Sequence, residues 1–205
     1  MIVVTSRALC GRPFLEQMEL IAEAGPEMVI LREKDLTVAE YRDLASRCLG
    51  ICERHGVPLS VNTHVEVARD LGIGRVHLPM GVLRGTDVSG FELVGASVHS
   101  KEEAVEAESL GADYVIAGHV FATACKDSEP RGLAFLRDVC SSVDVPVYGI
   151  GGITPENCGD AISAGAHGVA VMSSMMVADD PSGLIPRFAV NSGVRSSGMS
   201  GSAQL

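Results

Sequence analysis

His119 in Gly118-His119-Val120-Phe121 is the residue of this sequence best suited to moving a proton, and His99 in Ser97-Val98-His99-Ser100 reads either as its acid–base partner or as a support behind it. An imidazole accepts and donates near neutral pH, so it can carry a proton between two atoms of one substrate. Arg32 and Lys34 in Leu31-Arg32-Glu33-Lys34-Asp35 are cations that an anionic substrate would meet, and Lys126 is a further candidate. Arginine suits a carboxylate because its guanidinium donates two parallel hydrogen bonds. In Gly149-Ile150-Gly151-Gly152 the paired glycines expose backbone N–H groups to which a phosphate can bind, although a tight turn alone would also ask for glycine. Cys125 could act as a nucleophile, but contact or packing is the preferred reading. His64 reads as a solvated or capping residue, and His55, His77 and His167 have no convergent partners.

These residues need elements to hold them, and the chain supplies alternating ones. Short apolar runs rich in β-branched residues occur at 2–5, 28–32, 58–62, 75–78, 94–98, 113–117, 145–150 and 168–172, with helical periodicity between them. Helices are expected at 13–24, at 37–54 behind a Thr37/Glu40 capping box, and at 100–110 behind a Ser100/Glu103 box. Others are expected near 132–141, at 154–164 with Pro155 in the first helical position, and near 181–189. Gly25, Gly72, Gly111 and Gly165 each follow a helix and precede a strand, where a left-handed cap turns the chain back. Eight such units predict a single compact (β/α)8 TIM barrel over residues 1–190, with an open flavodoxin-like or Rossmann sheet as the alternative. Residues 191–205, rich in serine and glycine, are expected to form a disordered tail.

A barrel of this kind places its chemistry at the carboxyl ends of the strands, which here are polar: Arg32, Asn62, Ser97, His99, His119 and the 123–126 segment. The loops after strands seven and eight are its usual phosphate cradle, so Gly151, Gly152, Met172 and Ser173 are the candidates for that role. A formal net charge of −10 argues against nucleic acid or an anionic membrane surface as partner. The six cysteines form no CxxC pair and read as reduced thiols of a cytoplasmic protein, and no segment gives a membrane span.

The runs Leu31-Arg32-Glu33-Lys34-Asp35, Asn62, Phe121-Ala122-Thr123-Ala124-Cys125-Lys126, Gly149-Ile150-Gly151-Gly152-Ile153-Thr154-Pro155 and Gly168-Val169-Ala170-Val171-Met172-Ser173 resemble the thiamine phosphate synthase superfamily over nearly the whole barrel. That resemblance implies one of two activities. The synthase joins hydroxymethylpyrimidine diphosphate to thiazole phosphate with Mg²⁺, whereas the tautomerase converts a carboxylated dihydrothiazole phosphate to its aromatic isomer without a cofactor. Synthases carry Asn-Asp after strand three and a Gly-Gln-Glu-Asp-like segment after strand four, and two of these aspartates bind the metal. This sequence has Asn62-Thr63 and Pro79-Met80-Gly81-Val82 there, and Ile30 replaces a usual glutamine. Threonine or valine cannot supply the oxygen charge that Mg²⁺ needs.

The Gly118-His119-Val120-Phe121 and Cys125-Lys126 runs, with Ser97-Val98-His99-Ser100, look like the tautomerase branch, in which His119 would be catalytic. By the same resemblance Arg32, Lys34, Asn62, Ser97, His99, Thr123, Cys125 and Lys126 would contact the substrate, while Gly151, Gly152, Met172 and Ser173 would hold its phosphate. The expected function is therefore a thiazole tautomerase of thiamine biosynthesis with no cofactor or metal. The synthase, which would bring Mg²⁺, and a non-catalytic phosphate-binding regulator are the alternatives. The partner is a small thiazole phosphate, and a homodimer through the outer helices is expected.

Overall fold

The computed structural model describes residues 1–123 and 128–188. Its strands are β1 Ile2–Val4, β2 Met28–Leu31, β3 Leu59–Asn62, β4 Arg75–Pro79, β5 Leu93–Val98, β6 Tyr114–Gly118, β7 Val147–Ile150 and β8 Gly168–Val171. All pair in parallel with their sequence neighbours, and β8 pairs with β1. That closure makes the chain a (β/α)8 barrel and rules out an open sheet. The connections carry α1 Phe14–Glu23, α2 Val38–Arg54, α3 Val65–Asp70, the short α4 Met80–Leu83, α5 Lys101–Ser109, α6 Gly132–Cys140, α7 Cys158–Ser163, α8 Ser173–Met176 and α9 Pro181–Leu184. Among the described residues no helix is long and apolar enough to cross a membrane. Cys125, Lys126 and the 191–205 tail lie outside the described residues.

The strand pleat divides the core in two. Val3, Val29, Leu31, Val61, Val76 and Val115 point outward and pack under the helices, while Ile2, Val4, Met28, Ile30, Tyr114, Ile116, Tyr148 and Ala170 fill the barrel. Large rings in that interior need small neighbours. A Cβ on Gly95 would lie 2.1 Å from Tyr114 Cζ and 2.5 Å from His77 Nδ1, and one on Gly168 would lie 2.8 Å from Tyr148 Cε1. Overpacking of this kind costs about 1–3 kcal/mol. Gly95→Ala should therefore lower the urea midpoint with an unchanged m-value, and an unchanged midpoint would show that the rings yield freely.

The helix starts follow the expected chemistry with two corrections. Thr37 accepts from the Glu40 amide while the Glu40 carboxylate accepts from the Thr37 amide, completing that capping box. At α5 the Ser100 hydroxyl accepts from the Glu103 amide, but the Glu103 carboxylate accepts from the His99 amide (2.7 Å) instead of closing the second box. The helix expected from Thr154, with Pro155 in its first turn, begins only at Cys158. Asn157 explains the delay: its amide donates to Gly152 O (2.8 Å) and its carbonyl oxygen accepts from the Thr154 amide (2.8 Å), holding residues 154–157 as a turn. Near the other predicted end, α9 gives way at Leu184 to a 3₁₀ turn, Ile185–Phe188. Gly25, Gly72, Gly111 and Gly165 all take positive φ, as left-handed caps require.

Candidate active site

A cavity of about 600 Å³ opens at the carboxyl ends of the strands. Arg32 and Lys34 after β2, Asn62 and Thr63 at β3, and Ser97 and His99 at β5 line one side of it. His119 and Thr123 after β6, Gly151 and Gly152 after β7, and Met172 and Ser173 after β8 line the other. Every described candidate of the sequence analysis thus meets in one space.

Buried hydrogen bonds set the geometry of the Arg32 side. Tyr41 of α2 donates its hydroxyl hydrogen to Leu31 O (2.6 Å), and its oxygen accepts from the Asn62 amide (3.2 Å), tying the ends of β2 and β3 together. Thr5 Oγ1 accepts from the Arg32 amide (2.9 Å) and donates to Glu33 Oε1 (2.7 Å). Glu33 is buried and also accepts from the Arg7 amide (3.0 Å), so its carboxylate braces the β1 loop and does not face the cavity. Burial pushes the Glu33 carboxyl above the usual range against the opposing pull of Thr5 and Arg7. Asn62 donates to Thr63 Oγ1 (2.7 Å), and Thr63 holds a φ of 69°. That left-handed conformation is costly for a β-branched residue, and here the strain sits at the cavity edge.

His77 corrects the sequence reading, which gave it no partners. It points into the barrel from β4, is 3% exposed, and lines the cavity. Its Nδ1 lies 3.1 Å from the Tyr114 hydroxyl and its Nε2 lies 2.7 Å from Ser97 Oγ. Burial, with a smaller contribution from the Arg32 cation, pushes its pKa down to about 3, so it is neutral at pH 7. The signal that could have found it was the alternation Arg75, His77, Pro79 along β4, which puts all three on the inner face. His64 is half-buried at the N-cap position of α3, where its side chain makes no capping hydrogen bond and its ring packs on Tyr41 with centroids 4.2 Å apart. His55 also has a partner, Glu19 Oε1 at 2.7 Å, on the outer surface, and His167 packs edge-on to Tyr148 at the barrel floor.

His99 and His119 flank Gly118. His99 Nδ1 lies 2.8 Å from Gly118 O, and His119, 8% exposed, has Nε2 3.0 Å from Ser128 O. A carbonyl only accepts, so each of these nitrogens carries its hydrogen. The loop after β6 is held to β7 by Val120 N to Ile150 O (2.8 Å) and Phe121 N to Gly151 O (2.9 Å). The approach is close enough to dictate the glycines: a Cβ on Gly151 would lie 2.2 Å from His119 Cβ, and one on Gly152 would lie 2.3 Å from Ala122 O.

The donor set does not fit a two-aspartate Mg²⁺ site. Thr63 and Val82 stand where the resemblance would put such carboxylates, and among the described residues no Asp or Glu lines the cavity. What the cavity offers is cationic groups, hydroxyls, an amide and imidazoles, a set suited to an anionic substrate and to proton transfer.

Comparison with known proteins gives the lineage of this arrangement. A family model described as thiamine monophosphate synthase matches residues 1–175. A thiamine-phosphate synthase of Natronomonas pharaonis is 36% identical over 188 residues, 87% of each chain. Thiamine-phosphate synthase 2 of Streptococcus pneumoniae is 37% identical over 174 residues, 82% of each chain. Among solved structures, the thiamine phosphate pyrophosphorylase of Pyrococcus furiosus superposes with a TM-score of 0.79 at 30% identity, covering 91% of this chain and 92% of the other. With the family model spanning most of the barrel and relatives above 30% identity matching nearly their full length, the chain belongs to the thiamine monophosphate synthase family.

Proposed function

We propose that this chain is an enzyme of thiamine biosynthesis that isomerises a carboxylated dihydrothiazole phosphate to the aromatic carboxythiazole phosphate. The observation that carries this reading is the cavity lining: His99 and His119 beside Arg32 and Lys34, with no carboxylate among the described lining residues. In this reading the substrate carboxylate meets Arg32, the phosphate lies at Gly151, Gly152, Met172 and Ser173, and His119 moves the proton. Asn62, Ser97 and Thr123 orient the ring, and the reaction takes no cofactor.

The transferase is the second reading, and the names of the relatives favour it: those cited above are named for thiamine-phosphate synthesis, and none is named an isomerase. It requires that a pyrimidine diphosphate be activated without the two aspartates, its metal depending on the substrate's own phosphates.

One experiment separates the two. The purified protein is given the dihydrothiazole phosphate without metal, and separately thiazole phosphate, pyrimidine diphosphate and Mg²⁺. Aromatisation followed by NMR is the result expected of the isomerase, and thiamine phosphate, detected by fluorescence after oxidation, would replace that reading with the synthase.

Arg32 gives a sharper prediction. Its guanidinium makes no ion pair among the described residues, and it borders the cavity. Hydrogen bonds to charged groups are worth about 1.5–3 kcal/mol, so Arg32→Ala should weaken substrate binding roughly 10–150-fold. Calorimetric titration checks this, and unchanged affinity would move the anion site elsewhere.

A further inference from the structure

His99 is fixed more firmly than a surface histidine needs to be. Its ring donates from Nδ1 to Gly118 O (2.8 Å), and its amide donates to the Glu103 carboxylate (2.7 Å), a bond that α5 would otherwise have used for its own cap. With Nδ1 occupied, Nε2 is the nitrogen left for chemistry. His119 is held the other way round, donating from Nε2 to Ser128 O (3.0 Å) and leaving Nδ1. Both rings border the same cavity, on either side of Gly118. One ring nitrogen of each is pinned to a backbone carbonyl, and the opposite nitrogen of each is the one that can exchange protons.

We infer that His99 is a second proton-transfer residue, so that the proton removed from the substrate and the proton returned to it pass through different histidines. The inference rests on the isomerase reading and deepens it. Isomerisation removes a proton from one carbon and adds one to another, and each ring, tethered through one nitrogen to a backbone carbonyl, is oriented to serve one of these positions. The scheme needs one neutral ring as the base and one protonated ring as the acid. The neutral ring takes the substrate proton, and the C–H electron pair enters the heterocycle, which becomes aromatic. The imidazolium gives its proton to the second carbon. The pair ends with the same total charge and its roles reversed, and exchange with solvent resets it.

The test uses substrate deuterated at the departing carbon, turned over in ordinary water by the full chain, together with the variant His99→Gln. The expected result is product without deuterium, a kcat lowered about 10²-fold or more in His99→Gln with KM nearly unchanged, and loss of one limb of the pH–rate profile. Deuterium retained in the product, or a variant with the wild-type kcat and both limbs, would overturn the two-histidine scheme while leaving the isomerase reading intact. Absence of any isomerisation by the wild-type protein overturns both. Deuterium retained by the wild-type protein overturns the scheme whether or not His99→Gln folds, and His99→Asn supplies a second variant for the kinetic comparison.

Discussion

Asparagine at position 119 should lower the kcat of isomerisation by about 10²–10⁴-fold, the usual contribution of a positioned general acid–base group. The fold should survive, because His119 is held by its loop as much as by its ring. Its backbone O accepts from the Arg131 amide (3.0 Å), and the next residue, Val120, is locked to Ile150. An amide at 119 keeps a hydrogen-bond donor and loses the ability to take and return a proton, so KM should change far less than kcat. Steady-state kinetics with circular dichroism as the folding control checks the split. Equal loss in KM alone would make His119 a binding residue.

The second large effect is on stability and comes from His77. In the folded barrel its pKa is about 3, while an unfolded histidine titrates near 6.5. Below pH ~6.5 the unfolded chain therefore binds a proton that the native state refuses, so stability falls as the pH is lowered, and the loss is complete only near pH 3. Each pH unit in that window costs about 1.4 kcal/mol, so about 2 kcal/mol should disappear between pH 6.5 and 5. His77→Gln removes the titrating group. Urea unfolding at several pH values should then show a flatter slope for the variant over this window, whatever its stability at pH 7. Parallel slopes would mean that the buried ring accepts its proton within the fold. The Tyr114 and Ser97 hydroxyls on either side of His77 make that outcome unfavourable, since neither carries a negative charge to stabilise an imidazolium.

Where the sequence and the structure agree, local chemistry is the reason. Eight β-branched runs and the helices between them were readable because parallel strands covered on one side by helices and on the other by a barrel core must be apolar on both faces. The polar ends of those runs marked the cavity residues Arg32, Asn62, Ser97, His99 and His119, because a buried strand seldom ends in such groups without use for them. The helix expected at Thr154 failed for an equally local reason, the competing hydrogen bonds of Asn157.

The sequence by itself therefore determined the strand count, the barrel and the strand ends that could carry chemistry, since each depends on residue type and spacing within one βα unit. Only the tertiary structure decided that Glu33 turns away to brace the β1 loop, that Glu103 leaves its own helix cap to hold His99, and that Gly151 is glycine because His119 lies against it. It alone made His77 a neutral buried neighbour of Ser97. These are contacts between strands and loops 20 to 32 residues apart, or between a side chain and a neighbouring backbone, and closure of the barrel brings the distant ones together. Periodicity reports which face a residue occupies, and barrel closure chooses which residues share it.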